Sequence, residues 1–241
     1  MEYKDIPEAL KPFVDISHDE REILYFSVAD IDDNNKCIDV LNSPHVMEFI
    51  NKFTSIEIDC LDTKIINKLS NNVEILSIYL DNSIDLSALP PIKKLAINTS
   101  YKVKGQTLDF LPESVKILIA PGDINFDNLP NIEKIHIKYK KNTEIQSGID
   151  SLPDSTKLIS LENIEYINFY INKFPKSLTD LYIFNYNLHL SKDDIQNIFI
   201  SKLKNLSIDD IPNFVIITIH GEDHDTYEYI YNVKHNLLKL N

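Results

Sequence analysis

Tryptophan is absent from this 241-residue chain, and glycine occurs only four times, at 105, 122, 148 and 221. Glycine that sparse excludes phosphate-cradling loops of the P-loop or dinucleotide type, which need several glycines in close order. Basic charge is also in deficit: 24 Lys and Arg stand against 37 Asp and Glu, a formal net charge of -13. Such a chain repels nucleic acid and anionic membrane surfaces at long range, so neither is expected as a partner. No apolar run reaches the ~18 residues that a membrane-spanning helix needs. The opening Met-Glu-Tyr-Lys-Asp-Ile has no basic-then-apolar leader pattern. Cysteine is limited to Cys37 and Cys60, too few for a disulfide scaffold and consistent with a reducing, cytoplasmic setting.

What the chain does have is a core-forming share of apolar residues, 43%, and a recurring dipeptide. Leu89-Pro90, Leu111-Pro112, Leu129-Pro130, Leu152-Pro153 and Phe174-Pro175 start 22, 18, 23 and 22 residues apart, with Ile211-Pro212 beyond. Each precedes one pattern: apolar, two variable residues, apolar, one variable, apolar. It reads Ile92-Lys-Lys-Leu95-Ala-Ile97, Val115-Lys-Ile-Leu118-Ile-Ala120, Ile132-Glu-Lys-Ile135-His-Ile137 and Leu178-Thr-Asp-Leu181-Tyr-Ile183. A weaker copy, Thr156-Lys-Leu-Ile159-Ser-Leu161, has Thr in the first slot. Copies without the proline begin at Ile23, Phe53 and Val73, and the pattern returns at Leu203 and, after Ile211-Pro212, at Phe214. The closing alternation is strand-like, because successive side chains point to opposite faces. Each strand is too short to bury its apolar face alone, so a period near 20 residues predicts stacked copies sharing one core. The surplus match at Asn163–Phe169 comes too soon for another copy and is expected as a return segment.

The L-x-x-L-x-L strand resembles the leucine-rich repeat. Leu111-Pro-Glu-Ser-Val-Lys-Ile-Leu118 and Phe174-Pro-Lys-Ser-Leu-Thr-Asp-Leu-Tyr-Ile183 are similar to the L-P-x-S-L-x-x-L-x-[LIF] signature of FNIP-type repeats, a subtype found in slime moulds and giant viruses. The later F-N-x-P-I element of that subtype is missing. The resemblance implies an α/β solenoid with parallel strands on a concave face, short irregular or helical returns and helical caps at both ends. It assigns 1–50 to an N-terminal cap with helices and a first strand, 51–220 to the repeats and 221–241 to a C-terminal cap, as one continuous domain. It also implies a viral or amoeboid origin and, if viral, the host cytoplasm.

Within the ends, Ser43-Pro44 marks a helix start, and a second helix is expected from Thr63 to about Leu69. Ser191-Lys-Asp-Asp194 resembles a capping box before a further helix. The tail from Tyr227 to Leu240 carries both an alternation of tyrosines at 227, 229 and 231 and a helical spacing at Ile230, Val233, Leu237 and Leu238. A capping helix is the expectation there.

In a leucine-rich repeat the variable slots face the concave surface. The residues expected to meet a partner are Lys93, Lys94, Lys116, Glu133, Lys134, His136, Lys157, Asp180, Tyr182 and Lys204. Lys93, Lys94, Lys116, Lys134 and Lys157 form a basic stripe, which points to a protein partner with an acidic surface. The function expected is therefore a non-catalytic protein-interaction module without a cofactor. An alternative is the substrate-recognition arm of a ubiquitin ligase. Related proteins carry an N-terminal F-box for that role, and Ile6-Pro7-Glu8-Ala9-Leu10 is only a distant echo of one. A further alternative is a metal-dependent enzyme using His220, Asp223 and His224 within His220–Asp225, the one dense group of potential ligands.

Overall fold

The computed structural model describes residues 6–17, 23–27, 31–59, 68–80, 86, 89–99, 108, 111–141, 146, 148–185, 192–203, 215–220 and 226–231. The chain divides into two compact units, 1–103 with 109–116, and 104–108 with 117–241. Each is built on a mostly parallel sheet accompanied by few helices. No helix among the described residues is long and apolar enough to cross a membrane.

The first unit opens with an antiparallel pair, β1 (Val14–Ser17) and β2 (Ile23–Ser27), followed by helices α1 (Ile31–Leu41) and α2 (Pro44–Ile50). Three strands then add in parallel, β3 (Ser55–Asp59), β4 (Ile75–Leu80) and β5 (Lys94–Thr99). Their register sets Leu24, Ile56, Leu76 and Leu95 in one row and Phe26, Ile58, Ile78 and Ile97 in the next. All eight are buried. Cys37 and Leu41 of α1, Val46, Phe49 and Ile50 of α2, and Phe53 complete this core, with the Phe49 and Phe53 rings meeting edge-on at 5.4 Å. Pro44 begins α2 with Ser43 at the cap position, as its sequence predicts. The Ser43 hydroxyl makes no capping bond, however; its carbonyl accepts from the Met47 N–H at 3.1 Å.

In the second unit β6 (Ile117–Pro121), β7 (Lys134–Lys138), β8 (Leu158–Glu162), β9 (Asp180–Asn185) and β10 (Val215–His220) are parallel, and β11 (Thr226–Tyr231) returns antiparallel to β10. The inward rows are Leu118, Ile135, Ile159 and Leu181, then Ala120, Ile137, Leu161 and Ile183. Every one is buried. Burying a leucine or isoleucine side chain is worth roughly 1.5–3 kcal/mol, so β7, β8 and β9 each bring the core two such contributions and β6 one, beside the smaller Ala120. Helix α3 (Lys192–Lys202) lies by the return segment of β8, where its Lys202 carbonyl accepts from the Ile171 N–H at 2.7 Å.

The Leu-Pro step has a structural role that its spacing explains. Where the first apolar slot lies three positions after Pro, the proline carbonyl accepts a turn bond: Val115 N–H to Pro112 at 3.0 Å, Thr156 to Pro153 at 3.0 Å, Leu178 to Pro175 at 3.1 Å. Where the separation is two, the turn tightens: Ile92 to Pro90 at 2.7 Å and Ile132 to Pro130 at 2.6 Å. Both versions deliver the first slot into the core, with Ile92, Val115, Ile132 and Thr156 all buried. Thr156 tolerates that place because its hydroxyl donates to the Ile132 carbonyl at 3.2 Å; a buried hydroxyl without a partner would be costly. One carbonyl then starts the next strand by accepting two successive N–H groups. Thr54 accepts from Glu74 and Ile75, Glu74 from Lys93 and Lys94, Glu133 from Lys157 and Leu158, and Lys157 from Thr179 and Asp180.

Side-chain bonds repeat at the same separation. Asn72 donates to the Asn51 carbonyl, Asn163 to that of Tyr139, and Ser155 to that of Ile132. Gln146 bridges Tyr166 and Asn168, and Asp150 accepts from Asn172 and Lys173. These contacts span 20–24 residues, about one copy of the sequence pattern. The surplus motif at 163–169 is a return, as expected: it holds a 3-10 turn, Ile164–Tyr166, entered through Asn163 in the left-handed conformation (φ 60°).

Two expectations are corrected. At the C-terminal end, 226–231 is strand β11 and not part of a capping helix. The alternating tyrosines and Thr226 suit a pleated strand, and pairing with β10 supplies the backbone bonds that decide it. At both extremes the register slips by one pleat relative to the sequence pattern. Leu24, not Phe26, stands beside Ile56, and Ile217 stands beside Ile183, not Leu181. A slip of two residues keeps the same side chains inward, so the apolar pattern permits it. β9 pairs directly with β10, and Leu203 is buried just after α3; the rest of the copy beginning there lies outside the described residues. The helix expected at 63–69 falls largely outside the described residues, as does Ser191.

Candidate functional site

Because alternate side chains go inward, the others line up on the opposite face. In the second unit one outward row is Ile117, Lys134, Leu158 and Asp180, and the next is Ile119, His136, Ser160 and Tyr182. Lys138 and Glu162 are neighbours in the row beyond. Ile117, Ile119, Leu158 and Tyr182 are partly exposed, so apolar surface is interleaved here with charge. In the first unit the corresponding row is Tyr25, Glu57, Ser77 and Ala96.

Glu162 organises the second unit's face. It points outward, yet only 8% of it is exposed. Its Oε2 lies 2.9 Å from His136 Nε2 and 3.6 Å from Lys138 Nζ. Burial alone would push its carboxyl up, but the His136 hydrogen bond and the Lys138 charge outweigh that and leave it below the usual glutamate range. The carboxylate is then acceptor-only, so His136 Nε2 carries the proton and donates.

The ten residues expected at a partner surface divide. Lys134, His136, Asp180 and Tyr182 are brought together on this face. Lys157 and Glu133 meet just ahead of the strands, 3.1 Å apart. Lys93 stands 2.7 Å from Glu74, and Lys94 follows at the start of β5, beside Ile75. Lys116 continues the row, its N–H donating to the Lys93 carbonyl. Lys204 lies outside the described residues. Two of the five lysines, Lys93 and Lys157, are thus each paired with a glutamate one copy earlier. Glu162 and Lys138 were not among the expected residues. Continuing the alternation one step past Leu161 would have placed Glu162 on the face of Ser160.

Of the candidate metal ligands, His220 ends β10, paired with Thr226; Asp223 and His224 lie outside the described residues. Among the described residues no three of His, Cys, Asp and Glu come together as a metal site. Cys37 is a buried free thiol, pushed up to about 11 by burial, and is therefore a poor nucleophile. Comparison with protein-family models, with curated proteins and with solved structures returns no match to this chain.

Proposed function

We propose that this chain is a non-catalytic protein-interaction module of the leucine-rich-repeat kind, a solenoid of FNIP-like copies that meets a protein partner on the outward strand face. The observation that carries the reading is the pair of outward rows over β6–β9, where partly exposed Ile117, Ile119, Leu158 and Tyr182 sit among Lys134, His136 and Asp180. Apolar side chains held on an open face, opposite a closed core, suit the apolar centre and polar rim of a binding surface. The repeat reading draws support from bonds that recur once per copy and from the Pro-x-Ser turns at 112–115 and 175–178. A cytoplasmic setting agrees with the Cys37 thiol. Because Lys93 and Lys157 already face glutamates, the lysines alone do not select an acidic partner.

The test is capture from an extract of the cells that make the chain, followed by mass spectrometry. Ile119→Asp and Tyr182→Asp should each abolish retention of a protein that the unaltered chain and a Lys141→Glu control retain. Equal retention by all four, with circular dichroism unchanged, overturns the reading.

A further inference from the structure

Glu162 is held through one of its two oxygens. Both of its contacts fall on Oε2, and among the described residues no hydrogen bond reaches Oε1. A carboxylate that is mostly withdrawn from water gains from a further donor. Beside it on the same strand face stands Ser160, the small residue of its row, between His136 on β7 and Tyr182 on β9. The flanking strands are about 10 Å apart, two strand spacings, and a serine between larger side chains leaves a low point in the face. The chain as a whole, at -13, draws cations and repels anions.

We propose that this low point seats an arginine side chain presented by the protein partner. Its guanidinium donates to Glu162 Oε1 and lies against the Tyr182 ring. The inference rests on the reading of this face as a recognition surface. A planar guanidinium suits both contacts, since it stacks on an aromatic ring while presenting N–H donors at its edge. Lysine offers a compact, strongly hydrated charge instead. An acidic side chain would meet the Glu162 carboxylate and be repelled. The Lys138 ammonium, the longer of the two Glu162 contacts at 3.6 Å and with a side chain 44% exposed, gives way to the incoming group, while His136 holds Oε2. Among the described residues, the other charged side chains in these rows are Lys134 on β7 and Asp180 on β9, and β6 contributes Ile117, Ile119 and Pro121.

The experiment titrates the full chain with blocked Gly-Arg-Gly and follows the amide resonances of residues 158–162 and 182. Blocked Gly-citrulline-Gly, neutral and nearly the same shape, and Gly-Glu-Gly serve as comparisons. Saturable shifts with the arginine peptide are expected, with binding weaker by about 5-fold or more for citrulline and for Glu162→Gln, as loss of a charge-assisted bond implies. Tyr182→Leu should also weaken binding while keeping the half-buried position apolar. No saturable shift, or equal responses to arginine and citrulline, overturns the proposal. So does undiminished arginine binding in both variants. If the arginine peptide fails while capture of a partner still depends on Ile119 and Tyr182, the seat falls and the recognition face stands.

Discussion

Tyr139 occupies the space that a side chain on Gly122 would need. A Cβ at Gly122 would stand 2.3 Å from Cδ1 and 2.4 Å from Cε1 of that ring. The ring is buried, in contact with Phe169 at 5.9 Å between centroids, and the Gly122 N–H donates to the Lys138 carbonyl at 2.8 Å. Neither side can move cheaply. Gly122→Ala should therefore destabilise by about 1–3 kcal/mol, the cost of overpacking. In a double-mutant cycle Gly122→Ala with Tyr139→Leu should cost less than the two changes summed. Additive losses measured by urea unfolding would show that the close approach is not the cause.

Glu162 makes stability depend on pH in a defined sense. Its carboxyl lies below the ordinary range in the folded chain, against about 4.3 when unfolded. It therefore contributes stability that is fully present above the unfolded value and is lost as pH falls through the folded one. Glu162→Gln should cost about 1–3 kcal/mol near neutrality, as for a hydrogen bond to a charged group. The gap between variant and unaltered chain should narrow as the pH drops below about 4. Denaturant unfolding at a series of pH values reads this directly, and a gap constant from neutral to acid would contradict it.

Thr156 is a polar residue in a core slot whose neighbouring copies carry Ile132 and Leu178. The Ile132 carbonyl also accepts from Ser155 Oγ at 3.1 Å, so removing the Thr156 hydroxyl leaves no orphaned acceptor. Thr156→Val should change stability by less than about 1 kcal/mol, because the penalty for an unmet carbonyl does not arise. Thr156→Val with Ser155→Ala should cost distinctly more. Equal melting temperatures for the single and the double variant would refute this account.

Cys37 should resist thiol reagents while the chain is folded. Burial withdraws it from solvent and pushes its ionisation up to about 11, so little thiolate forms near neutrality. In a Cys60→Ser background, iodoacetamide should label Cys37 at least about 100-fold faster in denaturant than in buffer, since thiolate and access both govern the rate. Comparable rates in both would place the thiol at the surface.

Much of the ladder could be read before any coordinates, for a physical reason. Leu95 with Ile97, Ile135 with Ile137 and Leu181 with Ile183 alternate with period two, and the preceding turns announce where each strand begins. The ends were less legible. Leu24 and Phe26 are both apolar, so sliding β2 by two residues costs no burial, and only pairing with β3 selects the register. At 226–231 a tyrosine alternation competed with a helical spacing, and the neighbouring strand decided it. The recognition residues were half legible. His136 and Tyr182 fell in the expected slots. Glu162 lay beyond the last apolar slot, where the pattern stops although the strand continues. The pairing of Glu74 with Lys93 and of Glu133 with Lys157 follows from slot position: residues in the same slot of successive copies become spatial neighbours, and their charges are opposite.

That neighbour rule reaches beyond charge. The carbonyl of Glu133 receives Lys157 and Leu158, and the carbonyl of Lys157 receives Thr179 and Asp180. Each copy thus presents to the next the same acceptor that it was itself built upon. A joint between two copies is interchangeable with the joint beside it. Loss or duplication of a segment such as 133–156 would leave the following strand a carbonyl of the right kind to start on. A change of length by one whole strand would keep these backbone joints, while pairs particular to one copy, such as Glu162 with His136 and Asn163 with Tyr139, would need new partners.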